Sequence, residues 1–121
     1  MRMRLGAILV AVGATGCLGI ADLPPDTLAP QVEITSPVNG TTVGGGVPVQ
    51  VGAADDFSVE VVRILIDGTL RATIYTRPYH FLWGTVGLPN NSVHTIVAEA
   101  VDPSNNVGRA QVSVSVFNTK E

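Results

Sequence analysis

The strongest constraint on the fold is an alternation of apolar and polar residues that recurs along most of the chain. Six short segments show it: 32–34, 49–53, 62–66, 79–83, 96–100 and 110–116. Gly, Pro, Asn or Asp residues separate these segments, and a weaker seventh runs from Leu70 to Tyr75. A period of two residues places alternate side chains on opposite faces of a β-strand. No segment repeats with the period of a helix, so the sequence predicts an all-β domain.

The number and spacing of these segments favour two packed sheets. About seven short strands in about 90 residues indicate an antiparallel β-sandwich, with one face of each strand in the core. The pair Asp67-Gly68 is typical of a two-residue hairpin turn. Tyr79, Phe81 and Trp83 share one strand face, and we expect them to fill the core. The alternative is an exposed aromatic strip that stacks against sugars.

The first 16 residues have the architecture of a bacterial secretory signal. Two arginines precede a run of apolar and small residues from Leu5 to Gly13. This run is shorter than the roughly 18 to 20 residues of a membrane span. Cys17, the only cysteine, follows closely, and the arrangement resembles a bacterial lipobox, with Ala14 where a lipobox commonly has Leu. The resemblance implies a lipoprotein in which Cys17 becomes the acylated (palmitate-bearing) N-terminus.

Residues 17–31 are predicted to be a linker that carries the domain away from the membrane. They contain three prolines and show no strand or helix periodicity. Proline fixes φ and removes an amide donor, which favours an extended spacer. The domain is then expected at 32–118, with a short tail at 119–121. Leu18, by resemblance to enterobacterial sorting, favours the outer membrane of the cell envelope.

Charge and composition argue against several classes of function. The net charge is −3, which gives no basic footprint for nucleic acid. A hydrolytic triad needs a nucleophile, a base and a carboxylate brought together, and no Gly-x-Ser-x-Gly motif is present, so we predict no enzyme. His80 and His94 are the only histidines, too few for a zinc site. We expect His80 to face outward and His94 to donate a hydrogen bond at a strand corner.

Residues from about Ala29 to Phe117 resemble the bacterial Ig-like domains of secreted and surface proteins. The segments that carry the resemblance are 30–37 with Asn39-Gly40, 54–56 followed by Val59, 62–70, 78–83, 86–88, 92–96 and 100–108. It implies an immunoglobulin-like antiparallel β-sandwich of about seven strands. It also implies a spacer, an adhesion module or a carbohydrate-binding accessory. This chain has one copy and no attached enzyme, which disfavours a spacer for a catalytic domain.

Oxygen-bearing side chains in two loops are candidate ligands for weak calcium binding. One loop follows the second strand and holds Asp55 and Asp56, and the other precedes the last strand and holds Asp102, Asn105 and Asn106. These loops lie at the same end of an Ig-like sandwich, and Ca²⁺ prefers carboxylate and amide oxygens. The alternative, which we favour, is that these residues stabilise turns by bonding their own backbone. No other cofactor is expected.

A candidate interaction face follows from the strand alternation. If the strands of Val62, Ile96 and Val112 share a sheet, its outer face carries Val61, Arg63, Leu65, Val97, Glu99 and Gln111. We expect Arg63 and Glu99 to pair across strands. Leu65 and Val97 would then leave apolar area exposed, which is typical of some contact surfaces.

The sequence therefore predicts a non-enzymatic, lipid-anchored envelope protein that presents an Ig-like domain for adhesion or protein interaction. Its expected partners are the membrane, through the anchor, and an envelope protein or a glycan. One alternative is a carbohydrate-binding accessory module, for which Phe57 and Tyr75 are the aromatic candidates outside the core strip. The other is a purely structural envelope component.

Overall fold

A computed structural model describes residues 28–54 and 58–119, and within them it contains eight β-strands and no helix. The strands are β1 (Gln31–Ser36), β2 (Thr42–Val43), β3 (Gly46–Ala54), β4 (Val61–Ile66), β5 (Thr69–Ile74), β6 (Tyr79–Gly84), β7 (Ser92–Val101) and β8 (Val107–Val116). The predictions on the signal, on Cys17 and Leu18, on most of the linker, and on Asp55, Asp56 and Phe57 lie outside the described residues. The described residues include no helix that is long and apolar enough to cross a bilayer.

The strands form a sandwich of two sheets. The smaller sheet has the order β1-β3-β6, and the larger has the order β2-β8-β7-β4-β5. All pairs are antiparallel except β2 with β8, which is parallel. The all-β sandwich predicted from the alternation is confirmed. The eighth strand is β2, whose two residues are too few to leave a periodic signal.

The core lies between the sheets and consists of the alternate residues of each strand. Its fully buried members include Val49, Val62, Ile64, Ile96, Ala98, Ala100 and Val116. Burying a Val or Ile side chain contributes about 1.5–3 kcal/mol relative to leaving it exposed. Trp83 and Tyr79 are 1% and 7% exposed, and Phe81 packs partly buried against the same cluster. The prediction that these aromatic residues fill the core is confirmed, and an exposed strip for sugars is wrong.

The β4–β5 hairpin turn positions a carboxylate beside β7. Asp67 and Gly68 have φ of 54° and 83°, so both residues of the two-residue loop are left-handed, which a type I′ turn requires. The Asp67 N–H donates to Thr95 O at 2.9 Å, and the Thr95 N–H donates to Asp67 Oδ1 at 3.0 Å. The turn is therefore fastened to the neighbouring strand by both its backbone and its side chain.

The chain enters the sandwich across the start of β8. Pro30 is buried, and its carbonyl oxygen lies where a side chain on Gly108 would otherwise stand. Gly108 is itself buried. The absence of a Cβ at this position is what allows the segment before β1 to pack directly on the larger sheet.

Candidate functional site

An apolar row crosses the outer face of the larger sheet. Cross-strand pairing places Leu65 of β4 opposite Leu70 of β5 on one side and Val97 of β7 on the other. Leu70 is 51% exposed, and the other two side chains are half-buried. Gln111 of β8 continues the row beyond Val97. Leu70 was missed by sequence reasoning, because a bulge in the β4–β5 pairing shifts β5 out of simple alternation.

A charged row lies directly beside the apolar one. Arg63, Glu99 and Arg109 pair in line across β4, β7 and β8. Arg63 Nε lies 3.3 Å from Glu99 Oε1, and Arg109 Nε lies 2.9 Å from Glu99 Oε2. The hydrogen bond from Arg109, its charge, and the hydrogen bond and charge of Arg63 together outweigh burial and hold the pKa of Glu99 below its ordinary value. Two cations share one carboxylate, so the row has a net charge of +1.

Val61 does not belong to an accessible face. It is 9% exposed, and Val101 opposite it is 8% exposed. The segment that enters β4 runs against β7 at this end, where the Glu60 N–H donates to Val101 O at 2.7 Å. The expectation that Val61 lies on the exposed interaction face is therefore wrong.

The β7–β8 connection is a turn organised by Asp102. This side chain is fully buried, and its Oδ1 accepts from the backbone N–H of Ser104 and of Asn106, both at 2.9 Å. Its Oδ2 accepts from Asn106 Nδ2 at 3.0 Å, and Asn105 adopts a φ of 67°. This is the turn that Asp and Asn commonly build with their own backbone. Residues 28–54 and 58–119 contain no group of three His, Cys, Asp or Glu side chains that could hold a metal ion. Because Asp55 and Asp56 lie outside these ranges, calcium binding stays a prediction.

At one end of the sandwich, a serine, a histidine and an aspartate form a continuous hydrogen-bonded chain. Ser92 Oγ lies 2.7 Å from His94 Nε2, and His94 Nδ1 lies 2.6 Å from Asp67 Oδ2. His94 is a member of β7, on the same face as the core residue Ile96, and its side chain is only 12% exposed. Its ring packs against Trp83 in a T-shaped arrangement, with ring centroids 5.6 Å apart.

The electrostatics of this hydrogen-bonded series favour an ionised Asp67 carboxylate. Burial raises the pKa of Asp67, but the hydrogen bond to His94, that from the Thr95 N–H, and the charge of His94 together hold it below its ordinary value. A carboxylate only accepts hydrogen bonds, so His94 Nδ1 carries a proton. The expected hydrogen bond from His94 is present, but it comes from within β7 rather than from a corner before a strand.

The order of these three side chains is that of a hydrolytic triad, yet the surroundings differ from a catalytic site. Ser92 Oγ also lies 2.6 Å from Pro89 O, a second acceptor for its single proton. The N–H groups of Asn91 and Ser92 donate to Val116 O and Pro89 O, so neither is available to stabilise an oxyanion. Sequence reasoning missed Ser92 and Asp67 because 25 residues separate them. Their contact depends on the hairpin turn and on the register of β7.

Sequence comparison places this sandwich in a family. The family described as bacterial Ig domain matches residues 30–98. The chain belongs to the bacterial Ig domain family. No curated relative matches its sequence.

Solved structures agree with the Ig-like fold. The fibronectin(III)-like modules of Clostridium thermocellum CbhA share 23% identity and a TM-score of 0.58, covering 74% of this chain and 46% of that one. The endo-beta-1,4-mannanase of Thermotoga petrophila shares 16% identity and a TM-score of 0.61, covering 78% of this chain and 21% of that one. The chain thus spans less than half the length of either neighbour, and the likeness at these identities concerns the fold alone.

The smaller sheet of the Ig domain carries a shallow groove on its outer face. The groove has a volume of about 720 Å³, and Thr35, Gln50, Gly52, Arg77 and His80 contribute to its lining. Arg77 Nη2 donates to Ala53 O at 3.1 Å, which holds the guanidinium at the rim. His80 is exposed, as its position in the alternation predicts. Tyr75, the described aromatic candidate for sugar binding, is 70% exposed and does not line this groove.

Proposed function

We propose that this protein is a lipid-anchored component of the bacterial envelope whose Ig domain binds a partner protein. The surface proposed for binding is the apolar row of Leu65, Leu70 and Val97, with the charged row beside it. A sheet face that combines an apolar row with an adjoining row of arginines has the composition of a protein contact surface. Aliphatic residues in line across three strands form a contiguous patch rather than isolated exposed side chains.

The net charge of the adjoining row determines the chemistry of the partner. Glu99 is already bonded to two guanidinium groups, and the Arg109 side chain is 64% exposed. Arg109 therefore has N–H donors directed toward solvent that suit a carboxylate. We infer that the partner presents an apolar surface bordered by an acidic side chain. Complementary charges of this kind mainly raise the association rate and align the two proteins.

A role in carbohydrate binding is the second candidate. It is favoured by the likeness of this fold to a part of a mannanase and to the fibronectin(III)-like modules of CbhA. Sugar binding commonly uses exposed aromatic rings, whereas Trp83 and Tyr79 are buried. Among the described aromatic residues the exposed ones are Tyr75, between β5 and β6, and Phe117, directly after β8. The geometry therefore favours a protein partner over a glycan.

Attachment through Cys17 completes the proposal. The secretory signal and the cysteine that follows it suit acylation, and the proline-containing segment would hold the Ig domain away from the membrane surface. One acyl chain gives only marginal membrane binding, so stable attachment requires more than one. Palmitate labelling that is lost in Cys17→Ser would support this anchoring. Labelling that survives the substitution would contradict it.

The binding proposal is tested by comparing two matched substitutions. Leu70→Asp places a charge in the apolar row, and Leu82→Asp places one at a similarly exposed position, 66% exposed, on the outer face of the other sheet. After chemical cross-linking in intact envelopes, we expect the partner to be recovered with wild type and Leu82→Asp but not with Leu70→Asp. The purified partner should then bind Arg109→Glu more slowly than wild type at low salt.

Two outcomes would contradict the proposal. One is recovery of the same partner with wild type and with Leu70→Asp in equal amounts, once circular dichroism has shown that both proteins are folded. The other is specific binding on a glycan array that survives Leu70→Asp, which would favour the carbohydrate-binding role.

A further inference from the structure

The hydroxyl of Ser92 has one proton and two acceptors within reach. Pro89 O lies 2.6 Å from Ser92 Oγ, and His94 Nε2 lies 2.7 Å from it on the other side. The other ring nitrogen, Nδ1, lies 2.6 Å from Asp67 Oδ2 and carries a proton in either charge state of the imidazole. The protonation of Nε2 therefore decides which acceptor receives the Ser92 proton.

The two charge states of His94 give two different hydrogen-bond patterns. In the neutral ring, Nε2 is an acceptor, so it takes the Ser92 proton, and Pro89 O loses that bond. In the imidazolium, Nε2 donates to Ser92 Oγ, and the hydroxyl is then directed to Pro89 O. All three contacts are satisfied together only when His94 is protonated.

We propose that Ser92, His94 and Asp67 form a proton-controlled latch on the β6–β7 loop, residues 85–91. Protonation of His94 turns the Ser92 hydroxyl onto Pro89 O and fastens the loop to the start of β7. Deprotonation turns the hydroxyl toward the imidazole and releases Pro89. A single proton at His94 Nε2 therefore sets which of the two hydrogen-bond patterns is present.

The surroundings of His94 contain no other charge that would oppose this switch. Asp67 is the one charged side chain that the described structure places within ion-pair distance of the ring. The facing residue of β6 is Trp83, and the residue opposite in β8 is Val114. The stretch of β8 paired around it, 112–116, holds only Val and Ser, and the loop itself bears no titratable side chain.

The release is local because other bonds hold the loop. The Leu88 N–H donates to Thr85 O at 3.0 Å, and Asn90 is bonded to Asn118 through both its side-chain oxygen and nitrogen. The Ser92 N–H also donates to Pro89 O, at a longer distance of 3.2 Å than the hydroxyl. Loss of the hydroxyl contact therefore loosens the turn between Pro89 and Ser92 and leaves the sandwich intact. The loop carries Val86, which is 80% exposed, so the release acts on a segment that presents an apolar side chain to solvent.

The test is a pH titration of the full-length, isotopically labelled chain by NMR. We expect the carbonyl ¹³C shift of Pro89 to change with the same midpoint as the ring nitrogens of His94. The exposed His80 provides an internal control, and the Pro89 shift should not follow its titration. Hydrogen exchange at the Ser92 amide, corrected for intrinsic rates, should become about two- to tenfold faster above the His94 midpoint, because one hydrogen bond at the corner is lost.

Ser92→Ala separates the latch from a general effect of the imidazole charge. We expect this variant to lose the pH dependence at Pro89 while His94 still titrates. Ser104→Ala, in the exposed β7–β8 turn, should behave like wild type. The proposal is wrong if the Pro89 signal does not change between about pH 5 and 8. It is also wrong if the change persists in Ser92→Ala, or if His94 keeps one charge state throughout.

Discussion

Asn118→Ala should destabilise the domain strongly, because this side chain joins two loops that flank the end of β8. Asn118 Oδ1 accepts from the Gly45 N–H at 2.7 Å, and its Nδ2 donates to Thr85 O at 3.0 Å. Both bonds are partly buried, and Thr85 is fully buried. The side chain therefore connects the β2–β3 loop and the β6–β7 loop to the C-terminal segment.

The magnitude follows from what each partner loses. The Gly45 N–H has no other acceptor among the bonds that the described residues form, and leaving such a group unsatisfied costs about 1–3 kcal/mol. Thr85 O still accepts from the Leu88 N–H at 3.0 Å, so losing its second donor costs about 0.5–1.5 kcal/mol. Together these losses predict a decrease of about 2–4 kcal/mol in the free energy of unfolding.

Urea denaturation measures this loss. With a slope of about 1–2 kcal/mol per M for a small domain, the midpoint should fall by about 2 M with no change in slope. Thr119→Ala, at the next and exposed position, should stay within about 0.5 kcal/mol of wild type. Asn90 bonds the backbone of Asn118 at 2.7 and 3.3 Å, so a double-mutant cycle with Asn90→Ala should show at least about 0.5 kcal/mol of coupling. A loss under about 0.5 kcal/mol in Asn118→Ala would refute the reasoning.

Three further predictions concern the packing of the entry segment and two of the described carboxylates, whose pKa values are lowered. Gly108→Ala should lower the free energy of unfolding by about 1–3 kcal/mol, since a Cβ there overlaps the Pro30 carbonyl, whereas Gly84→Ala, in open space, should change the melting temperature little. Asp67→Asn should reduce stability at neutral pH. The pKa of Asp67 lies below its unfolded value of 3.8, so its contribution is present above that pH and is lost as pH falls through the folded value. The stability curves of the two proteins, measured by thermal melts, should converge in acid, and a gap that persists there would contradict this. Glu99→Gln should lower the free energy of unfolding by about 1 kcal/mol near pH 7. The pKa of Glu99 is also lowered, so the stabilities of this variant and wild type should converge in acid. Urea midpoints that still differ in acid would contradict this.

The strands were predictable because their side chains alternate in burial, and the sequence shows the same alternation as apolar and polar residues. In β7, Ile96, Ala98 and Ala100 are all fully buried, as the pattern requires. The same parity places His94 on the inner face, a signal that was available and was not used. The short β2 leaves no periodic signal, and the bulge in β5 breaks the alternation at Leu70.

The candidate sites were less predictable because they depend on register between strands distant in sequence. The pairing of Arg63 with Glu99 followed from the expected order of the strands, but Arg109 required the β7–β8 register to be known. The contact of Asp67 with His94 requires in addition the left-handed turn that aims the carboxylate at β7. Alternation determines the face on which a side chain lies, while the turns determine which side chains meet.

The β4–β5 hairpin links the latch to the proposed binding surface. It carries Leu65 and Leu70 of the apolar row, and its turn carries Asp67, which is bonded to Thr95 and His94 of β7. A change at the imidazole therefore acts on the same hairpin that a partner would contact. Coupling between two sites is reciprocal, so partner binding should in turn shift the His94 titration.

This coupling predicts a pH-dependent affinity for the partner. We expect the dissociation constant, measured by calorimetry at about pH 5.5 and 7.5, to differ by about fivefold or more, the low end of common coupling energies. Asp67→Asn, which removes the charged anchor of the imidazole, should abolish the difference without abolishing binding. His80→Gln, at the exposed histidine of the other sheet, should preserve it. Equal affinities at the two pH values in wild type would show that the hairpin does not couple the latch to the apolar row. A pH-dependent difference in affinity that disappears in His80→Gln would show that His80, on the other sheet, is the group responsible.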